Sequence, residues 1–143
     1  MMSTVHTTLE QQRAAFALER VRELEQSGPE SYGHYVSYAS ALPATIIMNG
    51  LGQALATLLA KAGRKKLPRQ DPHYLLYSHV VGWLAREDAR NPVLPGPVDE
   101  FIDRLMQADQ GVYVRAQAEA MAYLTWLKQF ARAYLKEKEG QDD

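Results

Sequence analysis

Apolar residues recur at spacings of three and four along nearly the whole chain, and no segment shows the sustained alternation that is typical of strands. Prolines and glycines interrupt the pattern at a few points. It predicts an all-α fold, in which residues 1–143 form a single-domain bundle of about six helices and residues 1–6 and 137–143 are frayed. The longest helix is expected at the C-terminal end, from residue 109 or 110 to about 139.

The first half of the chain is predicted to contain three helices. Thr7 and Glu10 have the spacing of a capping box, which indicates the start of the first helix. A second helix is expected to begin at Pro29 and to end before Pro43. Pro43 then begins a third helix, which ends at Gly63. Because this helix is apolar on almost all sides, we expect it at the centre of the bundle.

Two glycines lie inside the third predicted helix, at Gly50 and Gly52. A glycine in a helix interior costs about 1 kcal/mol relative to alanine. The simplest explanation is that another helix approaches closely at this point, with its backbone near the two glycines. We therefore expect Gly50 and Gly52 to lie within a helix and to pack against a neighbouring one.

The second half of the chain is predicted to contain three more helices. Residues 64–71 are polar and include a proline, which indicates an exposed loop before a helix that contains Trp83. The proline-rich residues 91–97 form the next connector. A short amphipathic helix over residues 98–106 follows, and Asp109 is suited to cap the long final helix.

Composition excludes several classes of protein. The chain has 46% hydrophobic and 23% charged residues, which is close to the average of globular proteins. It contains no cysteine, so disulfides, thiolate zinc sites and cysteine nucleophiles are excluded. No apolar run reaches the ~18 residues that span a bilayer, and the N-terminus lacks a signal-peptide pattern. A cytoplasmic protein without membrane contact is expected.

The net charge is -1, but the charge is unevenly distributed. Residues 61–69 carry +5 with no acidic residue, which leaves -6 for the rest of the chain. The five cations of this stretch are Lys61, Arg64, Lys65, Lys66 and Arg69. Such a loop can contact several phosphates without reading bases, although a solvated loop would look the same. A second basic row, Lys128, Arg132 and Lys136, recurs every four residues along the last predicted helix, where surface solvation also explains it.

The sequence offers little catalytic chemistry. The four histidines form neither an HExxH motif nor a His-x3-His pair, and His73 and His79 are interpreted as surface or helix-start residues. Helical ribonucleases of the HEPN type use an arginine and a histidine separated by four to six residues. Between Arg69 and His73 only three residues intervene, and Pro72 directly precedes the histidine. No catalytic residue, metal site or cofactor is therefore predicted.

Two stretches resemble a known family, the small subunit of the type III-B CRISPR effector, which is the Cmr RNA-silencing complex. The first covers residues 42–56, LPATIIMNGLGQALA, followed by Lys61. The second follows the C-terminal pattern of the family at Asp109, Tyr113, Glu119, Ala120, Tyr123, Leu124, Trp126, Leu127, Lys128, Phe130 and Ala131. The resemblance covers nearly the whole chain.

The resemblance implies an all-helical protein without known catalytic residues of its own. Members of the family stack in several copies along the effector and line the channel where target RNA pairs with guide RNA. The implied partners are other subunits, neighbouring copies, and guide and target RNA. We infer the RNA contacts from charge and not from the family, and predict them at Lys61, Arg64, Lys65, Lys66, Arg69, Lys128 and Arg132. The alternatives are a helical adaptor that binds only protein and a small helical ribonuclease.

Overall fold

The computed structural model describes residues 6–28, 32–87 and 90–135. Its six α-helices are Leu9–Ser27 (α1), Tyr35–Asn49 (α2), Leu51–Gly63 (α3), Pro72–Leu84 (α4), Phe101–Gln107 (α5) and Gln110–Tyr134 (α6). Short 3-10 turns precede α4 and α5, at Pro68–Gln70 and Val98–Glu100. No strand occurs within these ranges. The all-α prediction is confirmed, including the long C-terminal helix. The predicted start at Pro29 and nearly all of the predicted frayed ends lie outside the described residues.

The capping box of the first helix lies one residue later in the chain than predicted. Thr8, not Thr7, is the N-cap, and its hydroxyl accepts the Gln11 backbone N–H at 3.0 Å. The Gln11 side chain accepts the Thr8 backbone N–H in return, at 2.8 Å. Glutamine satisfies this donor as well as glutamate does, so the sequence offered two overlapping boxes. Glu10 is left to accept from the Trp126 indole N–H at 2.8 Å.

The predicted boundary between the second and third helices is wrong. Pro43 lies inside α2, where it removes one backbone donor without ending the helix. The break comes at Gly50, whose φ of 89° and ψ of 159° belong to a region that is essentially restricted to glycine. Gly50 therefore separates two helices and does not lie within one. Its own N–H ends α2 by donating to the Ile46 carbonyl at 2.7 Å.

Side chains from α6 cap the start of α3. The Leu51 N–H donates to Gln117 Oε1 at 2.9 Å, and the Gly52 N–H donates to Tyr113 Oη at 2.8 Å. A Cβ on Gly52 would lie only 3.1 Å from that hydroxyl. The expected close approach at Gly52 is therefore present, but a side chain approaches it instead of a backbone. These bonds satisfy N–H groups that a helix leaves open at its first turn.

The core holds an ionic contact between α1 and α6. The Arg13 guanidinium donates to both carboxylate oxygens of Glu119, at 2.6 and 2.9 Å. Glu119 also accepts from the Trp83 indole N–H on α4 at 2.8 Å. Burial opposes ionisation of Glu119, but these hydrogen bonds outweigh it and hold its pKa below the ordinary value. The Trp83 ring stacks on Tyr123, and Phe16 of α1 contacts both rings, so the network and the aromatic core join the same three helices.

Arginines hold the connector between α4 and α5. Those that donate to main-chain carbonyl groups in or beside this connector are Arg86, Arg104 and Arg115. Arg90, in the connector itself, donates instead to the Thr7 carbonyl before α1. Arg104 bonds the carbonyls of Leu94 at 3.0 Å and Pro97 at 2.7 Å. A loop without secondary structure has carbonyl groups that need partners, and these guanidinium groups supply them.

Residues 32–60, which cover α2 and most of α3, contain no Asp, Glu, Lys or Arg. One side of this helix pair packs in the core through residues such as Leu42 and Leu55. On the other side, Ile47 and Met48 are 72% and 80% exposed. The pair therefore presents an uncharged and partly apolar surface to solvent, next to the cationic stretch that follows it in the chain.

Candidate nucleic-acid interface

The five cations of residues 61–69, the basic segment, lie where α3 ends and the chain turns toward α4. Lys61 is in the last turn of α3, and Arg64 follows its final residue. The Lys65 N–H closes the turn by donating to the Ala62 carbonyl at 3.0 Å. The 3-10 turn Pro68–Gln70 then leads to Asp71, which caps α4. The predicted exposed loop is confirmed.

Most of the basic segment faces solvent. Lys61, Arg64, Lys66 and Arg69 are exposed, and Lys65 is half-buried. Within the described part of the chain, Lys61, Arg64 and Lys66 form no ion pair with a carboxylate. Positive charge at the C-terminal end of α3 also complements the helix dipole. The same cations can therefore stabilise the helix end and remain accessible to an anion.

Arg69 differs from its neighbours because it has an aromatic partner. Its Nη1 donates to Tyr74 Oη at 2.7 Å, and its guanidinium carbon lies 5.2 Å from the centre of the Tyr74 ring. The residue is nevertheless exposed. Tyr74 therefore orients this cation at the edge of the basic segment.

The other two predicted RNA contacts lie on a different element. Lys128 and Arg132 are four residues apart on α6, so they lie on neighbouring turns of one face. Lys128 is half-buried and Arg132 is exposed. Lys136, the third member of this row, lies outside the described residues. The cations of the basic segment are close together because they are neighbours in sequence, whereas Lys128 and Arg132 are close because they are one helical turn apart.

The interpretation of His79 as a surface or helix-start residue is wrong, because it is buried within α4. Its Nδ1 lies 2.7 Å from Tyr35 Oη, and burial, reinforced by the charge of Arg20, lowers its pKa to about 3. His73 does lie at a helix start, but it is only 3% exposed and therefore not a surface residue. Asp71 Oδ2 accepts both its backbone N–H, at 2.9 Å, and its ring Nδ1–H, at 2.6 Å.

Arg69 and His73 are not arranged as an accessible catalytic pair. Arg69 is bound to Tyr74, whereas the His73 ring is buried against Asp71 and stacks on Tyr38 with ring centres 4.0 Å apart. A general base must reach the proton that it removes, and this ring has almost no exposed surface. In the described ranges, no three metal-binding side chains come together. None of the described helices is long and apolar enough to cross a membrane.

Sequence analysis missed a cavity of about 140 Å³ between α2 and α3, which we call the α2–α3 cavity. Lys61 of the basic segment and His73 both line it. Its other walls come from residues 37–45 of α2 and residues 54–58 of α3. No linear motif marks a site whose walls come from three helices. Lys61 and His73, which lie on either side of the predicted loop at residues 64–71, were the only lining residues that the sequence analysis had singled out for their side-chain chemistry.

A sequence model of the family described as CRISPR-associated protein (Cas_Cmr5) matches residues 9–134. The chain belongs to this family. The Cmr subunit Cmr5 of the CRISPR system from Thermus thermophilus is 28% identical over 121 residues, which is 85% of this chain and 90% of the relative. The crystal structure of a CRISPR-associated Cmr5 family protein from the same organism matches with a TM-score of 0.69 and 28% identity, covering 91% of this chain and all of that one.

The family match confirms the resemblance to the Cmr small subunit that residues 42–56 and the C-terminal pattern indicated. The matched region runs from the start of α1 to the end of α6, so it includes every described helix. The helical Cmr5 fold is also that of the Thermus structure. The seven basic residues stay a prediction, because membership of the Cmr5 family does not assign an RNA contact to any of them.

Proposed function

We propose that this Cmr5 family member is a non-catalytic architectural subunit of a cytoplasmic type III-B CRISPR ribonucleoprotein. It stacks in several copies along the effector, beside other subunits, and contacts the backbone of guide or target RNA through its basic surface. The Thermus relative is named as a Cmr subunit, which supports a place in such a complex. Base pairing between the two RNA strands selects the target, so the protein needs no base-specific contact for that task.

The availability of the basic segment is the observation that carries the RNA contact. Lys61, Arg64 and Lys66 are exposed, and no carboxylate in the described residues neutralises them. When such cations neutralise phosphates, the counterions condensed on the nucleic acid are released, which is the main source of sequence-independent affinity for nucleic acid. Lys65 and Arg69 add charge within the same segment, and Lys128 and Arg132 extend the proposed contact on α6.

A non-catalytic role is supported by the state of the two histidines of α4. His73 and His79 are both buried, and each is bonded to a side chain of the core or its edge. The pKa of His79 is too low for general acid or base work near pH 7. A ribonuclease centred on Arg69 and His73 would need the histidine at the surface, beside the RNA.

The adaptor that binds only protein is the second candidate, and the uncharged surface of α2 and α3 favours it. Interface cores are depleted in charged residues, and residues 32–60 contain none. Ile47 and Met48 provide exposed apolar side chains on the same helices. In our proposal this surface contacts other subunits. The adaptor hypothesis keeps that contact and removes the RNA contact.

Reversal of charge in the basic segment separates the two functions. Arg64→Glu combined with Lys66→Glu is incorporated into reconstituted effector complexes, and target-RNA affinity is measured at several salt concentrations. If about three residues per subunit each neutralise one phosphate, log affinity should fall against log salt with a slope near -2 per site. Loss of two contacts should flatten this slope by about 1.4 and weaken binding most at low salt.

The control variant, Arg64→Lys with Lys66→Arg, keeps both charges and should behave as the wild type does. Equal incorporation of all three forms is checked on the purified complexes. Identical affinities and slopes for wild type and the charge-reversed form would contradict the RNA contact and favour the adaptor.

A further inference from the structure

Exposed apolar side chains gather around the bend at Gly50. Among the described residues, seven large hydrophobic side chains are exposed, and four of them lie here. These four, which we call the bend patch, are Ile47, Met48, Met106 and Val114. The first two belong to the last turn of α2. A Cβ on Gly52 would lie 3.0 Å from Met106 Cε, and Val114 follows Tyr113, whose hydroxyl binds the Gly52 N–H. Clustered apolar residues of this kind mark an interaction surface, and methionine is enriched at such surfaces.

The border of the bend patch is acidic. Asp103 lies one turn before Met106 on α5, Asp109 caps the start of α6, and both aspartates are exposed. Neither carboxylate forms an ion pair with a described residue. The nearby cations Arg104 and Arg115 are directed toward carbonyls of the α4–α5 connector. Like charges repel, so this border disfavours both an RNA phosphate and a symmetric pairing of two bend patches.

A complementary surface lies at the other end of α3. Leu67 is 60% exposed and has cations of the basic segment on both sides of it in the chain. Helix α3 has 13 residues, so the bend patch and the basic segment are separated by about 20 Å along its axis. The two surfaces cannot meet within one chain, but they can meet when a second copy is displaced along this axis. Such a contact joins two different surfaces, so it repeats in an open row.

We propose that the bend patch of one copy docks on Leu67 and the adjoining cations of the next copy. Apolar side chains then meet at the centre of the contact and opposite charges face each other at its rim, as in other protein interfaces. Asp103 and Asp109 can pair with two of the five cations of the basic segment, which leaves three for RNA phosphates. The proposal rests on the stacking of copies proposed above and names the two surfaces that it uses.

Thiol cross-linking tests this contact, since the chain contains no cysteine of its own. Met48→Cys and Leu67→Cys are combined in one chain, which is assembled into reconstituted effector complexes and treated with a short bismaleimide linker. Both residues are exposed, so the substitutions should affect folding little. Met48→Cys with Ala133→Cys is the matched control, because Ala133 is exposed near the end of α6 and belongs to neither surface. Mass spectrometry identifies the joined positions and the number of copies in each complex.

A head-to-tail row should give dimers, trimers and longer products, in which position 48 of one copy is joined to position 67 of the next. A chain with a single cysteine can be joined to one other chain at most, so each single variant should give no trimer, and the control pair should give none either.

The acidic border is tested in the same double-cysteine chain. Asp103→Asn with Asp109→Asn should lower the cross-linking yield about fivefold and make it less sensitive to salt, because asparagine keeps the cap of α6 but removes the charge. Glu23→Gln with Glu25→Gln neutralises two exposed acids of α1 and should leave the yield unchanged. An unchanged yield in the aspartate variant would contradict the pairing of the border with the basic segment.

This contact and the stacking on which it rests fail in different ways. Complexes that hold several copies but give no product between positions 48 and 67 would contradict the contact and leave stacking through other surfaces intact. Products that join position 48 only to a different subunit would also contradict it and assign the bend patch to that subunit. Equal yields from the control pair would show that the linking is not specific to Leu67. Complexes that hold a single copy would contradict the stacking, and with it the contact.

Discussion

The basic segment and the arginines that bind the α4–α5 connector are both cationic, but they differ in whether the protein itself occupies their hydrogen-bond donors. In the basic segment, Lys61, Arg64 and Lys66 extend into solvent and meet no carboxylate of the described chain. In contrast, Arg104 of α5 and Arg115 of α6 donate to main-chain carbonyls of the connector. The first group is accessible to a partner, whereas the second is occupied by the fold itself.

This contrast shows that the number of cations does not predict the number that can bind nucleic acid. The connector arginines are spread over residues 86–115, so they never form a charge run in the sequence. Their guanidinium groups donate to loop carbonyls, which in a helix or strand would accept from main-chain N–H groups. The basic segment lies on a tight turn whose backbone bonds are closed locally, which leaves its side chains without that duty.

A third arrangement, the pairing of Arg13 with Glu119, should give the largest effect on stability. Glu119→Ala removes the acceptor shared by Arg13 and Trp83, which leaves the Trp83 indole N–H without its acceptor and Arg13 with only the exposed Glu10 as an ionic partner. We expect a loss of roughly 3 kcal/mol in the free energy of unfolding, measured by urea denaturation. Glu23→Ala is the control, because Glu23 is largely exposed in its pair with Arg20 and should cost less than about 1 kcal/mol. Similar losses in both would show that burial does not decide the strength of these pairs.

Protonation of the buried His79 should have the next largest effect on the free energy of unfolding. The pKa of His79 is about 3 in the folded protein and near 6.5 when unfolded. As pH falls below 6.5 the unfolded chain binds a proton that the folded chain refuses, so stability decreases toward pH 3. The slope from this residue is about 1.4 kcal/mol per pH unit. His79→Phe should remove that slope from urea denaturation series at pH 6.5 to 4.5, and an unchanged slope would place the acid sensitivity elsewhere.

The smallest changes in stability are expected from single substitutions that compare the two cationic groups directly. Arg104→Ala leaves the Leu94 carbonyl without this donor and the Pro97 carbonyl with only the Glu100 N–H, and should cost about 2 kcal/mol of unfolding free energy. Lys66→Ala should change stability by less than about 0.5 kcal/mol. RNA affinity of the assembled complex should respond in the opposite order, with a measurable loss only for Lys66→Ala. If Arg104→Ala reduced affinity at equal incorporation, the connector would belong to the binding surface.

Helices whose signals are local could be predicted from the sequence. The apolar spacing of α5 and the cap at Asp109, which accepts the Val112 N–H at 2.9 Å, were both recognisable. The junction of α2 and α3 was not, because Pro43 is a strong local signal that tertiary packing overrides. Gly50 breaks the chain where Tyr113 and Gln117 supply hydrogen bonds from far along the sequence.

The candidate site divides in the same way. The basic segment could be found because its five cations are neighbours in sequence. The burial of His73 could not, since it depends on how α4 packs against α2. The α2–α3 cavity likewise exists only once three helices are in place. The sequence therefore predicts where the positive charge lies, but not which side chains are buried or where a cavity forms.

The capping of α3 by α6 has a consequence for a chain that is still being made. Leu51 and Gly52 donate to acceptors that lie 66 and 61 residues further along. On the ribosome, residues 35–63 emerge well before those acceptors exist. The first turn of α3 therefore stays without its cap until Gln117 has been added. A nascent chain therefore completes the bend at Gly50 only when α6 arrives beside it.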